Sequence, residues 1–373
     1  MILYLTVAAF TALLAGMVDN RPQKIPYMVT RQQLTNRVCL CAVFTILFAL
    51  SACRLNVGND YARYVEFMHL VNCDAYVPTE IGFNLLVKLI YGLSGYENFL
   101  LVFAVYAFVT VLLFLLAMYE QSDEFRLSFF LFMTLGYYFQ TFSTVRYYLA
   151  LAVALYSMKF VLRRQWGRFL ILILLGAAFH KSLLVVIPLY FLASLRWKKW
   201  QLVLAALFST TFLFLQDFYL KVVVFLYPTY EDTEYLEGGT SYINILRCAA
   251  VLAFAGIVYF MERKEQTLGQ DARFWFYLYL NLGALVLYGL CSFLPIISRI
   301  GYYLTVSQIL FLPMLINRVR HDTWRRLFRA GILLAALLYF AMYLSRAAND
   351  GVLVLPYKTF LFHDMVNILS DVN

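Results

Sequence analysis

Charge is what this chain has little of. Asp, Glu, Lys and Arg together make up 14% of its 373 residues, where a soluble domain carries about 25%. That shortage excludes an ordinary soluble enzyme. Apolar–polar alternation of the kind that marks an outer-membrane barrel is also missing, because the apolar runs are continuous. There is no glycine-rich phosphate loop, which argues against nucleotide binding. Neither an Asp-x-Asp pair nor a His/Asp/Glu cluster at metal-ligand spacing occurs, so no obligate metal and no cofactor is expected. The start, Met1-Ile2-Leu3, lacks a basic region and reads as a first span rather than a cleaved leader. The six cysteines show no metal spacing. Cys39 and Cys41 fall inside a span and read as packing residues. Cys53 and Cys73 flank a polar loop and read as free thiols, with a disulfide as the alternative if that loop faces an oxidising compartment.

What is present is apolar length. Hydrophobic residues make up 63% of the chain and the mean hydropathy is +0.74. Runs of about 17 to 22 apolar residues recur, each long enough to cross a bilayer. The fold class expected is an all-α polytopic membrane protein, a single transmembrane domain over 1–373. Twelve spans are read at 2–18, 36–52, 97–118, 127–142, 146–162, 168–180, 182–195, 200–216, 241–260, 274–294, 300–316 and 328–344. Segment 81–93 is apolar but short, and is expected to lie in the interface or to dip in and return. The polar segments left over are loops 53–80 and 217–241 and a tail over 345–373.

The net charge of +9 sits in short loops between spans, which is the footprint of topology and not of a nucleic-acid groove. With the loop after the first span inside, alternate loops collect about two thirds of the lysines and arginines. The positive-inside rule then places loops 53–80 and 217–241 and both termini on the extracytoplasmic side. Residues 168–195 are read as two short spans turning at His180-Lys181, because one long span would strand Arg196, Lys198 and Lys199 outside. Each half is about 13 residues, roughly 20 Å at helical rise, against a hydrocarbon core of about 30 Å. His180 is therefore expected below the outer surface, on the floor of a polar cavity.

On that topology one side collects the ionisable residues: Arg54, Asp60, Arg63 and Glu80, then Arg146, His180 and Lys181, then Arg247 and Arg299. Such groups at membrane depth are costly and usually face a bundle interior or a wet cavity. Several arginines around one outward cavity point to an anionic, phosphate-bearing ligand. The bland alternative for each is a snorkelling anchor. Tyr61 and Tyr64 are candidates to stack on sugar rings, or else members of the interfacial aromatic belt. Glu231, Asp232, Glu234 and Glu237 read as a solvated, flexible loop, with a lid as the alternative.

The order Arg54…Gly58-Asn59-Asp60-Tyr61…Tyr64, Glu80-Ile81-Gly82-Phe83, Val145-Arg146…Leu149-Ala150, Phe179-His180-Lys181-Ser182…Pro188 and Leu355-Pro356-Tyr357 resembles the EpsG family of exopolysaccharide and capsule assembly, similar to Wzy-type polymerases. It departs from the family at Tyr147, where members often have Gln, and at Lys181. The resemblance implies a bacterial cytoplasmic-membrane glycosyltransferase of the GT-C type, its active site facing outward. Its reaction would pass a glycan from a polyprenyl diphosphate, such as undecaprenyl diphosphate, to a lipid-linked repeat unit, in exopolysaccharide, capsule or O-antigen synthesis. A flippase and a chain-length regulator would be its protein partners. Arg146, Arg247 and Arg299, with Arg54, Arg63 and Lys181, are suited to the departing diphosphate. Asp60, Glu80 and His180 are the candidates to take the acceptor's proton. Competing readings are a lipid-linked oligosaccharide flippase or exporter, a glycan ligase and a membrane O-acyltransferase. A flippase should show two similar halves, and no repeat between 1–186 and 187–373 is evident.

Overall fold

The computed structural model describes residues 1–21, 29–226, 239–262, 267–294, 297–349 and 351–362. It is all-helical: 76% of it is helix, and no strand occurs among the described residues. The acidic loop read at Glu231–Glu237 lies outside them. In chain order the first helices are α1 (Ile2–Gly16), α2 (Arg31–Ala52), α3 (Tyr61–Asn72), α4 (Ile81–Ser94), α5 (Phe99–Gln121), α6 (Phe125–Thr134), α7 (Tyr137–Gln140), α8 (Val145–Leu162) and α9 (Trp166–Ala177). A 3₁₀ turn over Lys181–Val185 leads into α10 (Val186–Ala193), α11 (Lys199–Phe214), α12 (Gln216–Leu226), α13 (Tyr242–Glu262), α14 (Thr267–Gln270) and α15 (Ala272–Leu290). The last described helices are α16 (Ile297–Thr305), α17 (Gln308–Arg318) and α18 (Asp322–Ser345).

Among the described residues, six helical stretches are long and apolar enough to cross a membrane: α2, α5, α8, α13, α16 with α17, and α18. Six shorter apolar helices accompany them, including α1, α4, α6 and α9. Large side chains stand outward along these helices, among them Ile2 at 81%, Leu13 at 72% and Leu93 at 80% exposure. A surface this greasy is an interaction surface, here for lipid. The protein is a polytopic α-helical membrane protein.

Helix boundaries follow local chemistry. Thr30 and Gln33 form a reciprocal capping box at the start of α2, at 3.1 and 3.2 Å. Asn98 caps α5 by accepting from the Leu101 amide at 3.1 Å. Gly95, at φ +73°, ends α4 in the left-handed region.

The structure corrects several boundaries. The span read at 127–142 is broken by Gly136, at φ +77°, into α6 and α7. The span at 300–316 is interrupted at Val306-Ser307. The carbonyl of Tyr303 there accepts from the Tyr190 hydroxyl at 2.8 Å instead of from the helix. The loop read at 53–80 holds a full helix, α3, whose buried face is Tyr61, Tyr64, Val65, Met68 and Val71. That is helical spacing, hidden among polar neighbours. The loop read at 217–241 begins as helix α12.

The chain divides into two compact units. One comprises 1–157, 170–184 and 320–373, the other 158–169 and 185–319. In the first, α2 packs on α5, α1 on α2 and α6, α3 on α4, and α18 on α6. Its tail returns to the segment after α2. Leu55 N donates to Lys358 O at 3.0 Å, Gly58 N to Leu353 O at 2.8 Å, and Phe360 N to Cys53 O at 3.3 Å. In the second unit, α15 packs against α10, α13, α16 and α17. Its buried polar side chains pair with one another: Gln308 Nε2 donates to Asn281 Oδ1 at 2.8 Å. Asp271, which caps α15, also accepts from Arg318 Nη2 at 2.7 Å.

Two glycines set close backbone approaches in the first unit. A Cβ on Gly58, itself at φ +106°, would stand 2.1 Å from the Phe142 carbonyl oxygen, and one on Gly82 would stand 2.6 Å from that of Ala178. Gly58→Ala and Gly82→Ala should each lower stability by about 1–3 kcal/mol, the usual penalty for overpacking. Gly92, with nothing within 4 Å of the added atom, is the control. Thermal unfolding of the detergent-solubilised protein should rank both variants below wild type and Gly92→Ala at or above it. Equal melting of all three variants would contradict the packing described.

Candidate functional site

Three stretches of the first unit meet at one carboxylate. Glu80 occupies the N-cap position of α4 in extended conformation, yet makes no side-chain cap bond. Its oxygens are spent elsewhere. Oε2 accepts from Arg146 Nη1 in the first turn of α8. Oε1 accepts from the Lys181 amide at 3.1 Å and stands 3.4 Å from His180 Nδ1. The Gly82 amide donates to Ala178 O at 2.7 Å, so the start of α4 lies directly against the end of α9. Gly58, pressed on Phe142, sets the residues before α3 against the turn that opens α8.

The centre is nearly closed. The Arg146, Glu80 and His180 side chains are 13%, 14% and 14% exposed. The Arg146 guanidinium lies 5.5 Å from the Tyr64 ring and 5.3 Å from Phe83, and both rings add cation–π attraction. Tyr147 meets the His180 ring edge-on, with centroids 5.6 Å apart. Tyr106, 2% exposed, packs against Phe83 and Phe179 beside it. Burial by itself would push the Glu80 carboxyl up. The His180 contact, the Arg146 charge and the Lys181 amide outweigh it and hold the group down at about 2.

The other candidates fall into different places. Tyr64 is 7% exposed and joins the centre through Arg146. Asp60, half-buried at the N-cap of α3, lies within electrostatic reach of Tyr64. Tyr61 is fully buried and stacked on Phe103 at 4.5 Å, so its ring faces the core. Arg63 is exposed, its guanidinium 5.4 Å over Phe67. The Lys181 contact to Glu80 uses its backbone, and its side chain is exposed. Arg54, expected on a polar loop, is 1% exposed. Its guanidinium donates to Ser51 and lies 4.9 Å from the Phe103 centroid and 5.4 Å from that of Phe142. Burial pushes its pKa down, against the nearby tyrosines. Arg247 and Arg299 belong to the second unit. Arg247 lies 5.8 Å over the Tyr302 ring, and Arg299 is exposed. Cys53 and Cys73 are both free.

Sequence reasoning missed Tyr106, Phe83 and Tyr147 as walls of the centre. Gly82, two residues after Glu80, was the available signal, since a glycine beside a buried charge marks close backbone approach.

A buried carboxylate that ties a guanidinium, an imidazole and a backbone amide together inside an all-helical membrane bundle defines a multi-pass membrane protein with an internal polar centre. The family model described as EpsG matches residues 37–359, and the chain belongs to the EpsG family. It is thus a membrane protein of the polysaccharide-assembly class. No curated protein and no solved structure matches it.

A carboxyl lowered from its ordinary 4.5 to about 2 contributes stability that is complete above pH 4.5 and lost as the pH falls toward 2. Glu80→Gln should therefore flatten the acid limb of the melting profile in that window. At neutral pH it should cost about 3–5 kcal/mol, because Arg146 keeps a buried charge without its partner. Melting in detergent across that range reads both effects, and an unchanged acid limb would remove the ion pair from the account.

Proposed function

We propose that the protein is a polysaccharide polymerase of the Wzy type, working in exopolysaccharide, capsule or O-antigen synthesis. It transfers a growing glycan from its polyprenyl diphosphate to a hydroxyl of a lipid-linked repeat unit. The bundle would have about twelve membrane-crossing helices, the six long ones and shorter partners, in a GT-C-like arrangement in the bacterial cytoplasmic membrane. The centre would open to the extracytoplasmic side. The observation that carries this reading is the Glu80–Arg146–His180 centre, built from the stretches that resemble the family.

In the reaction the acceptor hydroxyl oxygen bonds to the anomeric carbon, the bond from that carbon to phosphate oxygen breaks, and the electron pair leaves with the diphosphate. The hydroxyl proton needs an acceptor within hydrogen-bond reach. Glu80 is a poor choice, since a carboxylate held at about 2 is a weak base and its oxygens are committed. His180 suits the task better. Glu80 faces Nδ1 and orients the ring, and Nε2 is the atom to receive the proton. Asp60, at the start of α3, is the second candidate. Arg146 and Glu80 together carry little net charge, so Arg146 acts first on the geometry of the base. Within the first unit, compensation of the departing diphosphate falls to Lys181, with Arg63 at the surface.

Purified protein supplied with a lipid-linked repeat unit should yield a ladder of chain lengths on a gel. A single transferred species would indicate a ligase, and lipid movement without covalent change a flippase. His180→Gln should slow the ladder by about 10²–10⁴-fold, the usual contribution of acid–base catalysis. Arg146→Ala should abolish it. A ladder of undiminished rate from His180→Gln would transfer the base role to Asp60.

A further inference from the structure

The end of α3 carries a second ordered group that the Glu80 centre does not use. His69 Nδ1 stands 2.9 and 3.0 Å from the two carboxylate oxygens of Glu97. Asn72 donates to the same carboxylate at 2.9 Å, so Glu97 is held by two side chains of one helix. Cys73 Sγ lies 3.8 Å from His69 Nε2, across the ring from Glu97. His69 and Cys73 are four residues apart, which makes them neighbours on a helix surface.

The arrangement has a chemical direction. A carboxylate accepts only, so Glu97 selects the tautomer with the proton on Nδ1 and leaves the Nε2 lone pair toward sulfur. Thiol, base and orienting carboxylate then stand in the order of an activated nucleophile. Glu97 and Cys73 sit on opposite edges of the imidazole, so the three cannot close on one cation. Among the described residues no group of three such side chains is placed to hold a metal. Cys73 is exposed, and the His69 and Glu97 side chains are 40% and 38% exposed. A reagent can therefore reach the sulfur from solvent. The thiol is not committed to a disulfide.

We propose that Cys73, served by His69 and Glu97, is a covalent modification site that takes disulfides by thiol–disulfide exchange. His69 Nε2 accepts the thiol proton, and the thiolate attacks one sulfur of the incoming disulfide. A bond forms between Cys73 Sγ and that sulfur. The other sulfur leaves with the electron pair and takes the proton back from the imidazolium, which Glu97 steadies meanwhile. No net oxidation is required, because the incoming disulfide supplies the oxidised sulfur.

The test uses the full chain in detergent with a neutral dipyridyl disulfide, following occupancy at each cysteine by peptide mass spectrometry. The reference is Ala75→Cys in a Cys73→Ser background, since residue 75 is exposed on the same segment and lies beyond His69. At neutral pH Cys73 should be modified at least about tenfold faster than the reference, a floor set below the about 10²–10⁴-fold that a positioned base supplies. His69→Gln should bring Cys73 to the reference rate, and Glu97→Gln should fall between. Equal rates at Cys73 and the reference in the otherwise native chain would overturn the proposal, whatever the variants do. So would a Cys73 rate that His69→Gln leaves unchanged in a protein that still elutes as a single folded species.

Discussion

A guanidinium in the first turn of a helix that runs through an apolar bundle must be matched or moved to water, and in this protein Glu80 matches it. Removing either charge from water costs several kcal/mol, recovered only with good geometry and further hydrogen bonds. The Lys181 amide, the His180 contact and two aromatic faces supply them. The constraint reaches outward from the pair. The start of α4, the start of α8 and the break after α9 have to meet at one point. Gly58 and Gly82 are two places where an added carbon would run into backbone. A slip of any of the three elements would leave a buried charge alone.

The same pairing fixes what the centre can do chemically. A carboxylate this strongly held is a poor proton acceptor, but it is a rigid mount for a histidine. Its negative charge also largely cancels that of Arg146. The protein solves its other buried arginine differently. Arg54 lies against Phe103, Phe142 and Tyr61 without a carboxylate, its Nε and Nη2 having no hydrogen-bond partner among the described residues. Cation–π contacts are worth about 0.5–2 kcal/mol each, and the tail closes over the segment through Thr359, which forms an antiparallel bridge with Arg54. One arginine is paired to a carboxylate and the other lies where the tail joins the body.

Much of the helical layout was legible because membrane helices advertise themselves by length. The runs that became α2, α5, α8, α13 and α18 could hardly be anything else. The interruption at His180 was legible for another reason: the basic residues at 196–199 made a single crossing electrostatically awkward, and the structure does break between Ala177 and Lys181. Gly136 was not legible, since one left-handed residue in an apolar run leaves hydropathy unchanged. Nor was α3, whose apolar stripe is diluted by Arg63, Glu66 and His69 on its other faces.

The sequence by itself determined the solvent of this protein, the family pattern and the roster of ionisable residues that a membrane would resist. These depend on composition and order, which need no knowledge of contacts. Tertiary structure alone decided which of those residues act together. Arg54 and Arg146 look equivalent along the chain, yet one is shut among aromatic rings and the other is paired to a carboxylate 66 residues away. Only the crossing of α4, α8 and α9 could make that distinction, because the partner of a buried charge is chosen by proximity in space, and hydropathy carries no record of it.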